Sequence, residues 1–165
     1  MEATKESEPT VMQNRTTAER KSDRELVITR IINGPPRIVF EAFTKPELLR
    51  RWWVPKSSGL SLLSLEADVR VGGKYRLVFS HGDSTMEFYG RYIEVTPPSR
   101  LVWTNEEDDH GGAVTTVTFE EKDGATLLVM HDLYPSKEAL DALAGMEEGM
   151  SESLQQLDEL VATLI

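Results

Sequence analysis

Between Leu60 and Met130 apolar and polar residues alternate at a period of two, and from Ser136 to Leu164 the period becomes helical. That order constrains the fold more than any other feature. Alternation over about four to eight residues marks a half-buried strand, whereas apolar residues at three- and four-residue steps mark one face of a helix. The strands expected are 61–68, 74–80, 84–95, 100–105, 113–121 and 125–132. They are separated by Gly72-Gly73, His81-Gly82-Asp83, Pro97-Pro98-Ser99, Asp108 to Gly112 and Asp123-Gly124, all with turn chemistry. Short links between sequential strands give an antiparallel meander. In the helical part, Leu140, Leu143, Met150, Leu154, Leu157, Val161 and Leu164 form one stripe. Ser136 suits the N-cap. Gly145 predicts a break, since glycine costs about 1 kcal/mol relative to alanine inside a helix. Gln156 lies off the stripe and is expected to tolerate truncation. A coiled coil is the rival reading of the stripe, weakened by Gly145, Gly149 and Glu147 on its seam.

Upstream, Leu26, Val27, Ile28, Ile31 and Ile32 read as a strand over 25–32, ended by Asn33-Gly34-Pro35-Pro36. Ile38, Val39, Ala42 and Phe43 then share one face of a short helix over 36–43. Thr44-Lys45-Pro46-Glu47 has capping-box spacing and opens a second short helix through Arg51. Helices this short are unstable alone and must lean on a sheet. Residues 1–23 carry one Val and two Met among polar residues. Such a composition predicts a disordered N-terminal tail, with a helical turn near Thr17–Lys21, followed by one domain over 24–165. A curved sheet and a single apolar-faced helix bury both only if the sheet wraps the helix. The expectation is an α+β helix-grip fold: about seven antiparallel strands around a long C-terminal helix, with two short helices after the first strand.

Composition narrows the function. A chain of 165 residues, 39% hydrophobic, is long enough to bury the core of one domain. No run approaches the ~20 consecutive apolar residues of a spanning helix. Absence of cysteine removes disulfides and thiolate chemistry. Eighteen basic against 28 acidic residues leave −10, without the basic stripe that a nucleic acid needs. Seven acids and one lysine place −6 of that charge on 136–165. The opening residues show no apolar signal region, so a cytoplasmic location is expected. His81 and His110 sit in turns, and His131 adjoins Asp132 on a strand, where neighbours point to opposite faces. No metal-ligand spacing or His–Asp pair results. The acidic run over 106–109 reads as a solvated hairpin tip, and Gly72-Gly73 precedes a strand and so reads as a turn, not a dinucleotide loop. No metal or cofactor is expected.

Several stretches carry a family resemblance in order. Val39-Phe40-Glu41-Ala42-Phe43-Thr44-Lys45-Pro46-Glu47-Leu48 and Trp52-Trp53-Val54-Pro55 come first, then Val71-Gly72-Gly73-Lys74-Tyr75-Arg76 and Gly90. Pro97-Pro98-Ser99-Arg100-Leu101-Val102-Trp103-Thr104 and Val117-Thr118-Phe119-Glu120-Glu121 follow. The end, Gly145-Met146-Glu147-Glu148-Gly149-Met150 with Leu157-Asp158-Glu159-Leu160, completes the series. Together they resemble the activator-of-heat-shock-protein-90-ATPase homologue family, within the START-related, birch-pollen-allergen-like (SRPBCC) superfamily. The match covers about 25–165, with Lys45 where the family often has Asp and Leu154 where an aromatic is frequent. The resemblance implies the helix-grip fold and, commonly, an internal cavity. The eukaryotic co-chaperones carry a separate N-terminal activator domain that is missing here, so co-chaperone activity is only weakly implied.

Tyr75, Leu77 and Phe79 share one strand face, and Met86, Phe88 and Tyr92 another. Trp53, Tyr75, Phe79, Phe88, Tyr92, Trp103, Phe119, Met146 and Met150 are therefore the expected lining of a cavity between sheet and final helix. A close-packed ordinary core is the alternative. The first functional reading is a binding protein for an unidentified small hydrophobic ligand. The second is a protein-interaction module, for which the +3 segment containing Arg37, Lys45, Arg50, Arg51 and Lys56 offers a surface. An enzyme of cyclase or hydrolase type ranks third, as related helix-grip proteins include polyketide cyclases but the inward candidates are almost all apolar. Of Trp52 and Trp53, one is expected to close the core and the other either to guard a pocket mouth or to be exposed.

Overall fold

The computed structural model describes residues 10–11, 16–106, 112–142 and 146–165, with side chains for 16–106, 112–142 and 149–165. Its strands are β1 (Thr10–Val11), β2 (Thr17–Ser22), β3 (Glu25–Ile32), β4 (Ser61–Ala67), β5 (Lys74–His81), β6 (Ser84–Thr96), β7 (Arg100–Asn105), β8 (Ala113–Lys122) and β9 (Ala125–Leu133). All pair antiparallel in one sheet of order β1-β2-β3-β9-β8-β7-β6-β5-β4. The six strands β4 to β9 are the meander that the alternation predicts. Its last strand closes against β3, from Glu25↔Leu133 to Ile32↔Thr126. Helices α1 (Pro36–Thr44) and α2 (Pro46–Leu49) follow β3, while α3 (Lys137–Asp141) and α4 (Met146–Leu164) follow β9. The arrangement is the expected helix-grip fold.

Two local expectations fail, each for a physical reason. Residues Thr17–Ser22, read as part of a disordered tail with a helical turn, form β2 against β3 with Thr17↔Thr29 and Ala18↔Ile28 in register. An unpaired β3 edge would leave a row of backbone donors and acceptors open, and a polar strand can fill it while its other face stays in water. Only Thr16 and Ala18 of this stretch are buried. Residues 1–9 and 12–15 of the expected tail lie outside the described residues. Thr44 is not a cap for α2: it ends α1, and its hydroxyl donates to the Phe40 carbonyl at 2.9 Å. Lys45 takes the cap position without a side-chain bond. The predicted break in the C-terminal helical region is present as the change from α3 to α4; Leu143 and Gly145 lie outside the described residues. Ser136 caps α3 as expected, accepting from Ala139 N at 3.1 Å.

The core lies between the inner faces of β3, β8 and β9 and the apolar sides of α1 and α4. Ile28, Ile32, Val117 and Leu128 from the sheet meet Val39, Leu154, Leu157 and Val161 from the helices, all essentially without solvent exposure. Gly34 lets α4 approach: a Cβ there would run into the Val161 side chain. A charged residue also enters the core: Arg30 shares the inner face of β3 with Leu26, Ile28 and Ile32 and is only 3% exposed. Its guanidinium pairs with Asp158 of α4 at 3.1 Å and donates to Thr16 Oγ1 at 2.8 Å. Asp158 also accepts from Asn33 N at 3.1 Å. One buried cation thus joins the segment before β2, strand β3 and the last helix.

Truncating one member of a buried pair leaves the other charge without compensation and costs about 3–5 kcal/mol, where an exposed pair costs under about 1. Asp158→Ala is therefore expected to lower the urea midpoint by an amount in the buried range. The double change Arg30→Met with Asp158→Leu should recover most of it. A loss of surface size for the single variant would show that the pair is solvated.

Candidate functional site

A cavity of about 270 Å³ lies between the concave face of the sheet and the helical side. Its floor follows from strand register. Asp132 stands opposite Thr115, Thr115 opposite Trp103, and Trp103 opposite Tyr92, across β9, β8, β7 and β6. Directly opposed residues point to the same face, about 4.8 Å from strand to strand. These four side chains form one row across the concave surface and all line the cavity. Tyr75 and Leu77 of β5 and Phe88 of β6 extend the wall, and Phe43, Leu49, Trp53 and Met150 complete it.

Of the expected lining, Trp53, Tyr75, Phe88, Tyr92, Trp103 and Met150 are brought together here. Two others are not on the wall. Phe119 is taken up by α1, its ring 5.2 Å from both Phe40 and Phe43, in a buried aromatic cluster. Phe79 is buried two residues along β5 from the cavity, covered by Phe88 at 5.3 Å. The side chain of Met146 lies outside the described residues. Trp52 closes the core, fully buried, with Nε1 donating to the Ala42 carbonyl at 2.9 Å. Trp53 is partly exposed and stands edge-on to Trp52 and Trp103 at 5.3 and 6.4 Å.

One end of the wall is polar, which the reading of an almost wholly apolar interior missed. The Tyr75 hydroxyl donates to Thr104 O at 2.7 Å and contacts Asn105 Oδ1 at 3.3 Å. Asn105 Nδ2 donates to Thr115 Oγ1 at 3.0 Å, and Thr115 donates onward to Asp132 Oδ1 at 2.6 Å. Tyr134 also hydrogen-bonds Asp132. Gly90 makes room for this chain, because a Cβ there would collide with the Thr104 carbonyl that Tyr75 engages. Burial pushes the Asp132 carboxyl up to about 6, against the opposing hydrogen bond from Thr115 and the influences of His131 and Tyr134. Desolvation likewise raises the Tyr92 hydroxyl to about 12. Among the described lining residues there is no Lys, Arg or His. His131 points the other way, 2.9 Å from Glu25, whose carboxyl its hydrogen bond holds below the usual range.

Period two was enough to find Asp132: it shares a face of β9 with Thr126, Leu128 and Met130, all buried. Gln156 had no comparable signal. Expected to tolerate truncation, it is only 8% exposed and holds the segment after α2. Its Nε2 donates to the carbonyls of Trp52 and Val54, both at 2.9 Å, while its Oε1 accepts from Lys56 N at 2.9 Å. Ser153 Oγ donates to Trp53 O at 2.7 Å, and Glu152 accepts from both the backbone N and the hydroxyl of Ser57. Three side chains of α4 thus secure residues 52–57 and fix Trp53 against the cavity.

Among the described residues no group of three or more His, Asp or Glu could hold a metal ion, and no helix is long and apolar enough to cross a membrane. His81, expected in a turn, is the exposed last residue of β5; His110 and residues 107–109 of the acidic run lie outside the described residues. The profile of the family described as "Activator of Hsp90 ATPase homolog 1-like protein" matches residues 33–162. Among solved structures, a Rhodobacter sphaeroides protein is 27% identical with a TM-score of 0.83, covering 92% of this chain and 100% of its own. A Chromobacterium violaceum protein is 31% identical at a TM-score of 0.69, with 85% and 98% coverage. An AHSA1-like protein from Aeromonas hydrophila, 20% identical with a TM-score of 0.64 and 84% and 93% coverage, shares the fold. No curated protein shows significant similarity.

Two measurements test this geometry. Gln156→Ala leaves carbonyls and an amide without partners, so it should cost about 1–3 kcal/mol, instead of the roughly 0.5 kcal/mol or less of an ordinary surface change. Asp132 binds its proton more tightly in the folded chain (about 6) than at its ordinary value of 3.8. Through this group stability therefore falls as pH rises from about 4 to about 6, and the deficit is complete above that. Asp132→Asn should be more stable than the parent at about pH 8, by at most about 3 kcal/mol. The gap should close toward about pH 4 in urea titrations; a gap independent of pH would contradict the burial of that charge.

Proposed function

The chain belongs to the Activator of Hsp90 ATPase homolog 1-like family, and on that premise we propose that it is a binding protein for a small, mainly apolar molecule. The observation that carries this reading is the cavity of about 270 Å³ walled by Trp53, Tyr75, Phe88, Tyr92, Trp103 and Met150. An apolar cavity of about 150 Å³ suffices for benzene, so this one suits a compound of one or two rings or a short branched chain. Its few polar groups gather at Asp132, Thr115 and Asn105. That division, apolar walls with a few placed polar groups, is typical of small-molecule sites.

Asp132 also favours a second reading, the enzyme of cyclase or hydrolase type. A desolvated carboxyl at about 6 is poised to take up a proton near neutral pH. Among the described residues the wall holds no second carboxyl, histidine or lysine to return it, so binding remains the first reading. As for the interaction surface, Arg37 and Lys45 both lean on Glu41, at 3.8 and 3.7 Å, which lowers the free positive charge of that segment.

The neutral fluorophore N-phenyl-1-naphthylamine is expected to bind at about one per chain, change tryptophan emission and raise the melting temperature, as a ligand of the folded state alone must. Met150→Trp should block the probe with little loss of stability if the space is empty. In a filled core the same change would overpack and destabilise by about 1–3 kcal/mol. Destabilisation together with no probe binding in the parent would end the ligand-binding reading.

A further inference from the structure

The charge pattern of the cavity wall defines the ligand more narrowly. Among the described residues Asp132 is the one carboxylate that lines the wall, and no basic side chain does. Thr115 and Tyr134 give Asp132 hydrogen bonds but bring no positive charge. His131, on the same strand, turns to the outer face and pairs with Glu25. The remaining surroundings are aromatic: Trp53 and Trp103 lie edge-on at 6.4 Å, and Tyr75 and Tyr92 are tilted at 5.8 Å.

From this arrangement, and resting on the reading of the cavity as a ligand site, we infer that the ligand is an organic cation, an aryl- or alkylamine whose ammonium group pairs with Asp132. A cation in a cavity bounded by several aromatic faces gains from their quadrupoles, and more so when it is desolvated. The ammonium supplies the positive charge that the described wall lacks and donates to the Asp132 carboxylate alongside Thr115 and Tyr134. Its apolar body then occupies the side of Phe88 and Met150. A neutral alcohol could hydrogen-bond Asp132 but would leave the buried charge uncompensated, and a carboxylate ligand would meet a like charge. Desolvation holds the Asp132 carboxyl at about 6 in spite of Thr115, His131 and Tyr134, so its charge has more to gain from a cation than one in water would. The net charge of −10 favours the approach of cations over anions.

The test uses three ligands of nearly equal shape: 3-phenylpropylamine, 3-phenyl-1-propanol and 3-phenylpropanoate. Each displaces N-phenyl-1-naphthylamine from the parent protein at about pH 7.5, at low and at high salt. The amine should bind at least about tenfold more tightly than the alcohol, with the carboxylate weakest. High salt should preserve the order, since a buried pair is screened far less than surface charge. In Asp132→Asn the ratio of amine to alcohol should fall to about one. An alcohol as tight as the amine, a preference erased by salt, or a preference that survives Asp132→Asn would overturn the inference while leaving the cavity reading intact. Should the variant not fold, the salt series in the parent still decides. Failure of the fluorophore itself to bind would remove the ligand-binding reading, and this inference with it.

Discussion

A single helix is too narrow to fill the concave face of a broad sheet. The seven strands from β3 round to β4 span roughly 29 Å at about 4.8 Å each, while a helix with its side chains is about 10–12 Å across. Everything else in the interior responds to that mismatch. Beside β3, β8 and β9 the shortfall is met by α1, by Leu154, Leu157 and Val161 of α4, and by the cluster of Phe40, Phe43 and Phe119. Trp52, fully buried against Phe43 at 4.8 Å, finishes that half. In front of β5, β6 and β7, and of Thr115 and Asp132 on β8 and β9, no element among the described residues fills the space, and the cavity is what is left.

Keeping such a space open requires holding the start of α4 by something other than apolar contact with the sheet. The structure does this with backbone carbonyls. Trp52, Trp53 and Val54 each present a carbonyl to α4, and Gln156 and Ser153 satisfy all three. Polar bonding at one end and the apolar stripe at the other set the height of the helix over the sheet. The buried Arg30–Asp158 pair adds orientation: a charged fork must meet its carboxylate, which fixes the rotation of α4 about its axis more tightly than leucine packing alone.

Much of this was readable in advance, and the reasons are specific. Strands β8 and β9 announce themselves by clean alternation, and most of the meander is punctuated by glycine, proline or aspartate, although β7 buries Leu101, Val102 and Trp103 in succession. The aromatic lining followed from parity within those strands. Strand β2 did not, since composition reports how a segment behaves alone and says nothing of an adjacent edge in need of partners. The function of Gln156 was hidden for a related reason: a helical wheel gives its direction, not the three polar backbone groups waiting there. Arg30 and Asp132 are polar residues that parity within β3 and β9 places inward, where the reading of the interior considered apolar side chains. One is neutralised by a neighbour on α4; the other keeps its charge on the cavity wall.

The bonds that hold residues 52–57 to α4 also have a kinetic meaning. The Trp53 ring stands between the cavity and solvent, and its own carbonyl is tied to Ser153. Moving the backbone there breaks the bonds of Lys56 N to Gln156 and of Ser57 N to Glu152 at the same moment. Passage by this route and hydrogen exchange at those two amides then share one opening event. The residence time of any occupant leaving past Trp53 becomes a property of helix docking, set by a glutamine that never touches it.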